Sequence, residues 1–161
     1  MISGFTLRAL NEGDRAYIRK FMKTHWGGEE IVVHNEIHHP ANLPGFVCEI
    51  DGEKVGLVTY TFSGESCEIV SLDSLRENRG IGTALIERVT EAARENGCSR
   101  LWLVTTNDNL KALAFYQKRG FQVIRFNKGA VNRARKKKPS IPLVGENGIS
   151  ITDEIVLSKM L

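Results

Sequence analysis

A strand that runs through Arg79-Gly80-Ile81-Gly82-Thr83 into a long amphipathic helix constrains this chain more than any other feature. Residues 80–95 place Ile81, Leu85, Val89, Ala92 and Ala93 at helical spacing, and Asn96-Gly97 stops the pattern where a left-handed cap is expected. At such a helix start the N–H groups are unpaired, point outward and lie at the positive end of the helix dipole. Glycine in the turn lets a ligand approach the main chain without meeting a Cβ. The unit therefore suits a phosphate, although G-x-G alone also describes an ordinary tight strand-to-helix turn. Two familiar phosphate motifs fail here. A dinucleotide fingerprint needs a third small residue where Leu85 stands, and a P-loop needs a Gly-Lys-Ser/Thr that is absent.

A second pattern follows in Asn109-Leu110-Lys111-Ala112-Leu113-Ala114-Phe115-Tyr116-Gln117-Lys118-Arg119-Gly120-Phe121. On a helix Asn109, Ala112 and Tyr116 share one face, offering an amide, a small residue past which a slender chain can run, and a phenol. Asn109 also reads as a helix cap, a role that Asn107 and Asp108 already offer, and Tyr116 as a core residue with a satisfied hydroxyl.

Together the two patterns resemble the GNAT family of acetyl-CoA-dependent acyltransferases. The family's Gln/Arg-x-x-Gly-x-Gly/Ala is matched by Glu77, Gly80 and Gly82, and its Asn-x-x-Ala-x-x-x-Tyr-x-x-x-Gly-Phe by Asn109, Ala112, Tyr116, Gly120 and Phe121. The likeness extends over most of the chain and is sharpest over 68–121. It implies the GNAT fold: an α/β domain whose mixed, mostly antiparallel central sheet of about seven strands carries helices on both faces. It also implies acetyl-CoA as co-substrate, with no metal. The cofactor would be bound through Leu72, Asn78, Arg79, Gly80, Ile81, Gly82, Thr83, Asn109 and Tyr116, with the backbone N–H of Leu72 polarising the thioester carbonyl. The implied reaction is direct attack of a primary amine on acetyl-CoA in a ternary complex. Tyr116 resembles the family's general acid for the departing thiolate, and Glu68 is the first candidate base, directly or through water, with Asp73 the second. Glu68 also reads as a solvent-facing strand residue. Glu77 departs from the family's Gln or Arg; its carboxylate is expected to point away from the pyrophosphate, with Arg76 or Arg79 offsetting the charge. That departure leaves room for an alternative, a catalytically silent acetyl-CoA sensor.

The rest of the chain agrees with one soluble domain over 1–161. It has 161 residues, 42% hydrophobic and 25% charged, and no apolar run of the roughly 20 residues a membrane helix needs. The start, 1–8, is too polar for a secretory signal, so a cytoplasmic protein is expected. Strands are expected at 5–10, 45–50, 54–62, 66–73, 100–106, 121–126 and 153–160, with a first helix opened by 11–14 and broken at Gly27-Gly28 and further helices at 29–38, 80–95 and 107–119. Residues 127–150, basic and carrying Pro139, Pro142, Gly145 and Gly148, read as an excursion before the last strand. Cys48, Cys67 and Cys98 have no metal-like spacing and read as small buried hydrophobes rather than as a covalent acetyl-cysteine route. His34 and His38 would sit one turn apart on the 29–38 helix. That could suit a metal, but no third ligand is apparent, and a polar helix face or a substrate contact is the plainer reading. Arg133, Arg135, Lys136, Lys137 and Lys138 concentrate the basic charge, without which the chain is slightly acidic. Lacking interleaved aromatics, the run reads as a solvated face ahead of a site for an acidic acceptor, nucleic acid or cofactor phosphate. The partner expected is a small-molecule or peptide amine; membrane and nucleic acid are not expected, and a homodimer is left open.

Overall fold

The computed structural model describes residues 4–161. The first three residues of the segment weighed as a signal lie outside the described residues. The sheet is built from β1 (Thr6–Ala9), β4 (Gly45–Ile50), β5 (Glu53–Ser63), β6 (Ser66–Ser74), β7 (Arg100–Thr106), β8 (Gln122–Asn127) and β9 (Glu154–Met160). Its seven strands run in the order β1-β4-β5-β6-β7-β9-β8, all antiparallel except β6 with β7. Helices α1 (Arg15–Trp26), α2 (Ile81–Glu95), α3 (Leu110–Lys118) and α4 (Ala130–Lys137) complete the chain with a separate hairpin, β2 (Ile31–Val33) and β3 (Glu36–His38).

Alternation along β5 divides the core between two faces. Leu57 joins Ile18, Phe21 and Met22 of α1, whereas Val58 joins Ile81, Leu85 and Val89 of α2. Helix α2 seats closely because Gly56 lies beneath it; a Cβ there would come within 2.6 Å of Ile81. The hairpin turn Asp51-Gly52 forms as its sequence predicts, with both residues left-handed (φ 49° and 80°).

Two features open the middle of the sheet. Thr59 pairs with Ser71 and Tyr60 with Ile69, so Val70 is an extra, bulged residue on β6. The parallel ladder with β7 covers only Ser66–Glu68 against Arg100–Trp102. A bulge bends its strand, so β6 leaves β7 just after Glu68, and a wedge opens between the strands.

The helix expected over 29–38 is instead the hairpin β2–β3. Ile31-Val32-Val33 is β-branched and loses rotamer freedom in a helix, while His34 and Asn35 (φ 40° and 66°) form a tight left-handed turn. The excursion 127–150 contains a helix that its charge concealed. Gly129 opens α4, Val131 and Ala134 are buried, and Pro139 follows its end. Nor is the basic run simply solvated. Arg135 donates to the carbonyls of Ile141, Pro142 and Ile151, and Lys138 to those of Trp26 and Glu30. No helix among the described residues is long and apolar enough to cross a membrane.

Candidate active site

The turn before α2 has the anion-receptive form expected of it. Asn78 and Gly80 are both left-handed (φ 58° and 76°), and no side chain caps the 15-residue helix that follows. Its first N–H groups are therefore free of side-chain acceptors at the positive end of the dipole. The two glycines differ in purpose. A Cβ on Gly80 would meet open space, so Gly80 serves the backbone angle. A Cβ on Gly82 would lie 3.0 Å from the Phe115 ring, so Gly82 makes room for α3. Ile81 is buried, leaving only its backbone to face a ligand, and the Thr83 hydroxyl accepts from Arg119 at 2.9 Å. Glu77 pairs with Lys111 at 3.2 Å across exposed surface, in place of the neighbouring arginines expected to offset it. Arg76 pairs instead with Glu53 at 2.9 Å.

Asn109, and neither Asn107 nor Asp108, caps α3, its side chain accepting from the Ala112 N–H at 3.2 Å. Tyr116 is buried edge-on against Phe115 and Phe121. Its hydroxyl has no protein hydrogen bond among the described residues. His38 Nε2 is the one sealed, unpartnered polar side-chain atom among them, so the Tyr116 hydroxyl borders open space. Burial, with the charge of Asp73, pushes the phenol's pKa up, so it stays protonated at neutral pH. Leu72 pairs with Val58 on the stretch of β6 beyond the last residue paired with β7. Asp73 accepts from the Trp26 indole N–H at 3.2 Å, and burial pushes its carboxyl up to about 6.

Glu68 is the largest departure from a surface reading. It is 5% exposed, and its Oε2 lies 2.8 Å from His34 Nε2. His38 Nε2 lies 3.4 Å from the other oxygen, without hydrogen-bond alignment. Burial raises the Glu68 carboxyl, but the two histidines outweigh it and hold the group below the usual carboxylate range. Burial works against a charged His34, but the bond and charge of Glu68 outweigh it and raise its pKa. The His34 ring also packs on Trp102 of β7, with centroids 5.0 Å apart. Its backbone N–H donates to Glu154, which is 3% exposed, at 3.1 Å.

Neither histidine could be assigned to Glu68 from the sequence, because a helix at 29–38 points them elsewhere. The third donor that the sequence did not reveal is Glu68 itself. The donor atoms of His34, His38 and Glu68 lie within 4.8 Å of one another, so this trio is also where a metal of zinc-like preference would be held. The cysteines supply no nucleophile. All are buried and free, and burial pushes the Cys67 thiol up to about 12.

Comparison with known proteins bears on this arrangement. A family model described as the acetyltransferase (GNAT) family matches residues 10–121. The chain is 47% identical over 152 residues to the uncharacterized protein YdhI of Bacillus subtilis (strain 168), covering 94% of this chain and 95% of that protein. It is 48% identical over 145 residues to the uncharacterized protein YxbD of the same organism, covering 89% and 91%. Among solved structures, a GNAT family acetyltransferase from Elizabethkingia anophelis with acetyl-CoA bound matches with a TM-score of 0.72 at 20% identity, covering 99% of this chain and 100% of that one. At that identity the likeness speaks for the fold.

Proposed function

The chain belongs to the GNAT acetyltransferase family, and from that premise we propose that it transfers the acetyl group of acetyl-CoA to a primary amine by direct attack. The observation that carries the reading is the buried Glu68–His34 pair at 2.8 Å, sited where β6 and β7 part. The free backbone of the α2 turn supports the CoA pyrophosphate there, and the wedge admits the thioester toward Leu72. In this scheme the ammonium gives its proton to the Glu68–His34 pair, directly or through water. Glu68, held ionised by its histidines, raises the basicity of the His34 imidazole to which it is bonded, so the pair gains its basicity at His34. The neutral amine attacks the thioester carbon, the C–S bond breaks, Tyr116 donates its proton to the departing sulfur, and the surplus proton on the acylated nitrogen returns to the Tyr116 phenolate.

A second reading assigns the base to Asp73, because a carboxyl near 6 is better matched to neutral catalysis than one held low. Thiol release from acetyl-CoA across an amine panel tests the transferase reading. Turnover with at least one primary amine is expected; tight acetyl-CoA binding with no turnover on any amine would favour a silent sensor. Glu68→Gln is expected to lower kcat by about 10²-fold or more and Asp73→Asn by far less. The reverse order would move the base to Asp73.

A further inference from the structure

The basic residues of α4 have two separate roles. Arg135 and Lys138 are consumed by backbone carbonyls, as described above. Arg133 and Lys137 instead line a cavity of about 430 Å³, with Arg125 of β8, His34 and Asn35 of the hairpin turn, and Glu154 of β9. This volume lies within the roughly 300–1,000 Å³ of small-molecule sites.

The charges in this cavity are unbalanced. The Arg125 guanidinium makes no hydrogen bond or ion pair with any described residue. The Arg133 side chain donates only to the Lys128 carbonyl, at 3.2 Å, and the Lys137 ammonium only to oxygens of Asn35, at 3.2 and 3.4 Å. None of the three has a carboxylate within ion-pair distance among the described residues. The one acid in the wall, Glu154, accepts from the His34 N–H and feels the charge of Arg133 without pairing to it, so it offsets at most one of the three cations. Arg125 follows a bulge: Val123 pairs with Leu157 and Arg125 with Val156, leaving Ile124 extra. Such a bulge re-aims the side chains beyond it. His34 belongs both to this cavity and to the Glu68 pair, so the cavity leads to the proposed base.

We infer that this cavity is the acceptor's anion subsite. It takes a small primary amine that also carries a carboxylate, such as an amino acid or short peptide, with the carboxylate on Arg125, Arg133 and Lys137 and the amine toward His34. The inference rests on the transferase reading and names its substrate class.

The test measures thiol release from acetyl-CoA with amino acids and dipeptides against the same compounds amidated at the carboxylate, with aminoalkyl phosphonates and spermidine alongside. The carboxylates are expected to exceed their amides by about tenfold or more in kcat/KM, the scale of a charge-assisted contact. Arg125→Ala and Arg133→Ala should each raise KM for the carboxylates about tenfold while the amides shift less than about twofold. Equal or better use of amides or spermidine overturns the inference, and preference for the phosphonates overturns the carboxylate assignment. If no amine is acetylated, the catalytic reading fails, and the subsite is decided by titrating N-acetylalanine into the CoA-bound protein by NMR. Shifts around His34 that Arg133→Ala abolishes would uphold the subsite; no binding, or binding that the variant leaves intact, would refute it.

Discussion

The two sides of this molecule proposed for cofactor and acceptor are built on opposite plans. The cofactor side, the turn before α2 with α3 behind it, is assembled from short sequence spacings and ordinary helix chemistry. The acceptor side, where β2–β3, α4, β8 and β9 meet, is assembled from long-range contacts: His34 reaches Glu68 across 34 positions and Glu154 across 120. A local site can be read from spacing because backbone geometry fixes it. A nonlocal one exists only after strands have found their partners. In an acyltransferase this division has a use, since one cofactor must be held in a constant way while the acceptor differs with the surface that recognises it.

The largest expected effect lies on the cofactor side. Tyr116→Phe should lower kcat by about 10²–10⁴-fold while leaving acetyl-CoA affinity nearly intact. Its hydroxyl has no hydrogen-bond partner to lose among the described residues, so thermal stability should scarcely move. Unchanged turnover would reduce Tyr116 to a core aromatic, and both faces of the comparison would then rest on the Glu68 pair alone. Next in size is Arg135→Ala on the acceptor side. It strips donors from three carbonyls that hold 141–151 to α4, and should cost about 1–3 kcal/mol, a fall of several degrees in Tm. KM for the acceptor should rise with it, because Arg133 and Lys137 ride on the same helix. A variant as stable as the parent would return the basic run to a solvated face.

The last effect concerns Asp73 and touches stability alone, through its dependence on pH. Burial raises its folded carboxyl from 3.8 to about 6, so the folded state holds the proton more tightly than the unfolded chain. Its contribution to stability is therefore most favourable below about 4 and is lost as pH rises through 6. Asp73→Asn should be more stable than the parent at pH 7, by about 3 kcal/mol at most, and the difference should shrink toward pH 4. Chemical denaturation at both pH values checks this, and a pH-independent difference would contradict it.

Legibility in the sequence followed the same division. The strand 100–106 and the α2 boundaries emerged nearly as drawn, because amphipathic periodicity and Asn-Gly or Asp-Gly punctuation act within a few residues. The segment 29–38 follows its β-branched Ile31-Val32-Val33 into a hairpin, although His34 and His38 are spaced at a helical period. Helix α4 is hidden in the sequence because five cations in six positions look solvated until the carbonyls that receive Arg135 and Lys138 are in place.

Sequence by itself determined the family resemblance, the succession of the seven sheet strands along the chain, the Gly80 turn into α2 and the placing of Tyr116 on α3, each a matter of local geometry and side-chain period. Only the tertiary structure decided that Glu68 is buried against His34, that Gly82 serves the packing of Phe115, and that Arg125, Arg133 and Lys137 share one cavity. Those facts depend on which distant segments meet. A buried charge finds its partner through the fold, and nothing in the spacing of residues along the chain records it.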